Sequence, residues 1–294
     1  MTATQAMAPP TSQQRPSAPS RWMRRALWLI VTVVVVIAFW HLDIAWDRLA
    51  KLPSEGAEYF AKLFFHPDWS QFGKAVAATV SSVQMAWIGT VIAAILSLPL
   101  SFLAAANITP RFVWFPMRLL FDIIRAVPEL ILAIAILAVT GLTPFTGALA
   151  IGIHSIGTLG KLSFEAIESV ETGPMEAARA SGASRSQVVR WGMWTQVQPE
   201  ILSIWLYRFE VNVRAGAVLG LIGAGGIGQM LIENIRYRRW EVIGVLLIVV
   251  VVATILIDLA SGTVRAKIIS GRWPWQRGGA GAAAAAELQA AAAG

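Results

Sequence analysis

The 294-residue chain has no cysteine and only three histidines, and just 14% of its residues are charged. Without thiols there can be no disulfides, cysteine nucleophiles or thiolate metal sites. The histidines stand apart, with no H-E-x-x-H pair, so no metal is expected. A soluble domain carries about 25% charged residues, and this chain has too few to cover a globular surface. It is 56% hydrophobic instead, with a net charge of +7. Nucleic-acid binders gather basic residues on a water-exposed face. On an apolar background the excess is better read as setting membrane topology. The expected class is an all-α membrane protein, with membrane lipids and no nucleic acid among its partners.

Residues 1–20, rich in Pro, Ser, Ala and Gln, have nothing to bury and are expected to be disordered. "RWMRR" then precedes an apolar run. The long leader and the lack of an A-x-A cleavage site favour a retained span over a signal peptide. Six transmembrane helices are expected: Ala26 to Asp43, Lys74 to Ala106, Phe112 to Thr140, Pro144 to Val170, one beginning near Pro199, and Val242 to Val264. Each nears or exceeds the roughly 20 residues that cross a bilayer. Residues 21–71 would hold the first span and an outer interfacial segment, 72–270 a core of five spans, and 271–294 an appended linker. Six spans with a cytoplasmic N-terminus leave the C-terminus cytoplasmic too. Most arginines then fall inside, with Arg48, Lys51, Lys62, Lys74, Arg236, Arg238 and Arg239 as exceptions.

Residues 171–198 are far more polar and read as two short cytoplasmic helices around Gly182. Pro174 suits a first turn and Glu176 a positive helix N-terminus, while Ser184 can cap the second helix.

Charges at membrane depth cost about 2.5–3.5 kcal/mol each even on insertion scales, so they usually face the bundle interior. Asp122, Arg125 and Glu129 fall at i, i+3 and i+7 of the third span, on one helical face. Lys161 with Glu165, and Glu210 with Arg214, are i, i+4 pairs. Internal ion pairs explain these charges, above all Lys161, Glu165 and Asp122. Spare donors on Arg125 and Arg214 also suit an anion path. The residues expected along such a path are Arg125, Glu129, Arg208, Glu210, Asn212 and Arg214. His154 is expected to be packed and hydrogen-bonded.

"LGLIGAGGIGQML" at 219–231 contains a literal G-x-G-x-x-G. A dinucleotide site needs that pattern between a strand and a helix; here a membrane span precedes it and no βαβ unit follows. Gly220, Gly223, Gly225, Gly226 and Gly228 are expected either to let helices pack closely or to break the fifth helix at a hinge near the outer gate.

Glu176-Ala177-Ala178 followed by Gly182 resembles the EAA-x-x-x-G loop of the membrane subunits of bacterial ABC importers. The family's I-x-L-P would fall at 192–195, where this chain has Gly192, Met193, Trp194 and Thr195. "RAVPEL" at 125–130, "LGKLSFEAIE" at 159–168 and "YRFEVNVRAGAVLGLIGAGGIG" at 207–228 sharpen the likeness to the permeases of phosphonate and phosphate importers. The resemblance covers residues 72–265. It implies a type I permease fold in the cell inner membrane, a homodimer with a second copy of itself, and alternating access. Glu176, Ala177, Ala178 and Gly182 would couple it to an ATP-binding-cassette ATPase dimer. An extracytoplasmic phosphonate- or phosphate-binding protein would dock opposite. No cofactor is expected on this chain: it has no P-loop, so it should not be an enzyme, and ATP with Mg belongs on the ATPase. Outside that resemblance, the alternatives are an ion-coupled secondary transporter of a small anion and a membrane oxidoreductase.

Overall fold

The computed structural model describes residues 21–42 and 46–271, with side chains absent from the description at 46–50. The expected disordered segment 1–20, the end of the first expected span at Asp43, and the tail from 272 lie outside the described residues. Every regular element among the described residues is helical. The chain divides into two compact units, residues 1–57 and 58–294.

In the first unit, α1 (Arg21–His41) is apolar and buries no side chain. It is long and apolar enough to cross a membrane. The next helix, α2 (Trp46–Phe64), runs through Pro53 into the second unit. There Tyr59 meets the Trp240 ring at 4.9 Å, and the Leu63 carbonyl lies so close to Gly244 that any Cβ there would overlap it.

The second unit is built around α3 (Phe72–Ala104) and α6 (Pro144–Glu168). Their mutual faces are lined by small residues, because only small side chains let helix backbones come this close. A Cβ on Gly89 would sit 2.7 Å from the Ala148 carbonyl, and one on Gly152 would sit 3.3 Å from the Gly89 carbonyl. Thr143 caps α6 by accepting from the Thr146 amide at 3.3 Å, and Pro144 occupies its first turn. Around this pair pack α4 (Arg111–Ala126), α5 (Glu129–Thr140), α9 (Trp194–Leu219), α10 (Gly226–Arg236) and α11 (Trp240–Ser270).

The third expected span is not one helix. It breaks by 85° between α4 and α5. Pro128 explains this: it disfavours a helical conformation at Val127, which is extended at φ −85°, ψ 118°. Glu129 therefore starts α5, and it does not share a helical face with Asp122 and Arg125 on α4.

Among the described residues, three helices are long and apolar enough to cross a membrane, or up to five if each bent pair is one span. The fourth expected span, α6, is 25 residues long, roughly 37 Å at 1.5 Å per residue, yet it is not among them. Its glycines, hydroxyls, His154 and Lys161 dilute its hydropathy. Such a composition suits a helix enclosed by protein rather than lipid, and fifteen of its residues are buried.

Candidate functional site

A polarised chain of hydrogen bonds joins α9, α6 and α3 at the centre of the second unit. Arg208 Nε donates to Ser155 Oγ at 3.0 Å, and that hydroxyl donates to Asn212 Oδ1 at 3.2 Å. Asn212 Nδ2 donates to Thr90 Oγ1 at 2.8 Å, and Thr90 donates to the Ala86 carbonyl at 2.6 Å. Ser155 and Asn212 are fully buried, Thr90 and Arg208 nearly so. Arg208 and Asn212 are four apart on α9 and so project from one face. Buried polar groups are costly unless paired, and here each partner satisfies the next. Among the described residues Arg208 has no ion-pair partner, and its two terminal nitrogens make no hydrogen bond to them. Glu129 on α5 and His154 on α6 are close enough to act on it electrostatically. His154 Nδ1 lies 3.1 Å from the Val127 carbonyl at the α4–α5 break.

Two further α9 charges turn toward α11. Glu210 is paired with Arg265, and Arg214 lies 3.7 Å from Asp258. The expected Glu210–Arg214 pair does not form, because each finds its partner across the helix interface. Lys161 and Glu165 do pair, at 3.7 Å, as do Arg125 and Asp122, at 3.1 Å. Of the six expected path residues, then, Arg208 and Asn212 share the central network, and Glu129 lies within electrostatic reach of Arg208. Glu210 and Arg214 belong to the α9–α11 seam, and Arg125 is held by Asp122.

Sequence reasoning missed Ser155, Thr90, Asp258 and the partnership of Arg265. Asp258 carried a signal, as a lone carboxylate within the apolar run of α11. Nothing in the spacing distinguished Ser155 or Thr90 from the many small residues of α6 and α3. Also missed was Arg118, which pairs with Glu168 and lies 4.5 Å from the Trp114 ring centroid and 4.4 Å from that of Phe164.

The polar loop begins with α7 (Thr172–Ala180) and turns at Gly182, where φ is +78°. Glu176 and Ala177 are exposed, and Ala178 is half-buried. Met175 is buried against Gly192, where a Cβ would come 3.1 Å from its Cα. The second short helix is not separate. It starts at α8 (Arg185–Gln187), where the Gln187 side chain accepts from the Ser184 amide at 2.8 Å. It then passes through a π-helical stretch at Val188–Met193 directly into α9. Pro199 lies inside α9 rather than opening it.

After Leu219 the helix tightens to a 3-10 turn at Gly220–Ile222 and then breaks, with α10 leaving at 43°. Gly223, Gly225 and Gly226 have φ of +92°, +93° and +70°, a region that side chains other than glycine avoid. Ser82 of α3 accepts from the Ile227 amide at 3.0 Å, fixing the start of α10. Gly220 and Gly228 touch across the break: a Cβ on Gly220 would lie 2.7 Å from the Gly228 Cα. Bending and close packing, posed as alternatives for these glycines, occur together.

A family model described as binding-protein-dependent transport system inner membrane component matches residues 97–269. The chain is 36% identical over 247 residues to the phosphite transport system permease protein PtxC of Stutzerimonas stutzeri, covering 83% of this chain and 89% of that one. It is 38% identical over 193 residues to the phosphate-import permease protein PhnE of Mycolicibacterium smegmatis, covering 65% of this chain but 36% of the longer relative. In fold it is similar to a chain of the MetNI methionine ABC transporter in an inward-facing conformation. The TM-score is 0.58 at 20% identity, over 64% of this chain and 93% of that one. With the family match spanning more than half its length, the protein belongs to the inner-membrane components of binding-protein-dependent transport systems, the permease subunits of ABC importers.

Proposed function

We propose that this permease carries a tetrahedral phosphorus oxyanion, phosphonate or phosphate, with phosphite in the same class. The observation that carries this reading is Arg208. Its Nε is anchored by Ser155 while its terminal nitrogens remain available, and a guanidinium fork suits such oxygens. The nearby Glu129 opposes a trap: a path must bind its ion weakly enough to release it. Relatives named for phosphite and phosphate transport agree with this class.

The working unit would pair the chain with a second copy of itself around the path. An ATPase dimer, which holds ATP and Mg, would dock on the Glu176–Gly182 loop, and a binding protein would deliver the anion from outside. The chain would cross six times, α6 enclosed by its neighbours, with both termini cytoplasmic. ATP binding would close the ATPases, and the loop would convey that movement to the bundle in alternating access. The break at Gly220–Gly228 would serve as the outer hinge.

The test is uptake into proteoliposomes holding the permease, its ATPase and its binding protein. Labelled phosphate, phosphite and methylphosphonate are compared with sulfate. ATP-dependent uptake of a phosphorus oxyanion is expected; uptake by the permease alone, driven by an ion gradient, would overturn the reading.

A further inference from the structure

Between the C-terminal turns of α3 and the beginning of the long helix at Arg185 lies an open groove of about 600 Å³. Its walls are apolar: Leu98 and Phe102 from α3 on one side, Val189 and Trp194 on the other. Ile108, Arg185, Ser186 and Arg190 complete the lining. Both arginines are exposed, and neither has an ion-pair partner among the described residues. Arg190 lies 5.5 Å from the Trp191 ring centroid, but no carboxylate among the described residues neutralises either arginine, whereas Arg118 is paired with Glu168 as well as lying over two rings. The groove also has the setting of a membrane–water boundary. Trp191, 65% exposed, and the half-buried Trp194 stand beside the arginines, and tryptophan concentrates at that interface.

An apolar trough with two cations that no carboxylate among the described residues neutralises matches a molecule that is oily at one end and anionic at the other. We propose that this groove binds one anionic phospholipid. The headgroup phosphate bridges Arg185 and Arg190, and an acyl chain lies over Leu98, Phe102 and Trp194. Basic pockets at helix ends on the cytoplasmic side take such headgroups. The choice of that leaflet rests on the topology proposed above; the lipid chemistry does not. The site also has a consequence for coupling. Arg185 lines a second cavity with Met175 and Arg179, so a bound lipid braces the junction where α7 meets the π-helical stretch.

The test uses the purified permease–ATPase complex in detergent, exposed to phosphatidylglycerol or to phosphatidylcholine of matched chains, with retained lipid counted by native mass spectrometry. Selective retention of phosphatidylglycerol is expected. A surface arginine near an anionic headgroup contributes about fivefold in affinity, so R185Q/R190Q should weaken retention about thirtyfold. R185K/R190K keeps the charge and should keep most of the binding, and melting temperatures establish that both variants fold. Equal retention of the two lipids, or unchanged retention by R185Q/R190Q, would overturn the proposal. So would displacement of the lipid by excess inorganic phosphate, which would mark a free-anion site. Loss of the ATPase from R185Q/R190Q with phosphatidylglycerol still bound would assign the arginines to protein docking and overturn it too. Retention is read without transport, so failure here leaves the uptake reading standing, and failed uptake leaves the lipid site standing.

Discussion

The Arg265 guanidinium donates to the Glu210 carboxylate across the α9–α11 interface, and the Glu210 side chain is only 9% exposed. Removing one partner of a buried ion pair costs more than the pair contributes, because it strands the other charge. Arg265→Ala should therefore destabilise by about 3–5 kcal/mol, read as a lower melting temperature in detergent. The double variant E210Q/R265M, which removes both charges of the pair, should recover most of that loss. If the double variant melts no higher than R265A, the pair is not what holds this seam.

Arg208 allows stability and transport to be separated. Ser155→Ala removes the acceptor of Arg208 Nε and the donor to Asn212 Oδ1. An unsatisfied buried group costs about 1–3 kcal/mol, so S155A should lower the melting temperature and impair uptake together. Arg208→Gln keeps a donor but loses the guanidinium fork. It should abolish oxyanion uptake by the reconstituted importer while ATPase activity persists. Full uptake by R208Q would remove Arg208 from the path.

The helical class, the positions of the apolar stretches and the glycine break were all legible in the sequence, because each depends on local composition: long apolar runs, or five glycines within nine residues. Partnerships between helices were not. Glu210 and Arg214 fit an i, i+4 pair, yet Arg265 and Asp258 compete for them from a segment more than 40 residues away. The α4–α5 break was announced by Pro128, but reading residues 112–140 as one apolar run hid it and aligned Glu129 with the wrong neighbours. The enclosure of α6 is a tertiary property. Its modest hydropathy makes sense only once α3 and α9 are seen to surround it.

Two glycines test whether the break is a matter of space or of sequence alone. A Cβ on Gly228 would overlap the Ala217 carbonyl and lie 2.9 Å from the Gly220 Cα. Backbone cannot move aside as a flexible side chain can, so Gly228→Ala should destabilise by about 1–3 kcal/mol. Gly73, in the first turn of α3, has nothing within 4 Å of its would-be Cβ. Gly73→Ala should be neutral, or stabilising by up to about 1 kcal/mol. Thermal unfolding of the two variants side by side checks the contrast, and equal effects would refute the packing account.

Glu176 provides the sharpest test of coupling. It is exposed on α7 and forms no ion pair among the described residues, while its neighbour Met175 anchors the helix against Gly192. Surface substitutions away from special features usually change stability by less than about 0.5 kcal/mol, so Glu176→Ala should fold and melt like the parent. If the loop conveys ATPase closure to the bundle, the same variant should lose uptake while ATP hydrolysis continues without responding to the binding protein. Met175→Ala should behave differently. It opens a cavity beneath α7 and should lower stability by about 2–5 kcal/mol, with any coupling defect accompanied by weaker folding. Comparing melting temperature, hydrolysis and uptake in the two variants separates a contact made by the loop from support given to it. Coupled transport at parental levels in E176A would remove that carboxylate from the coupling contact.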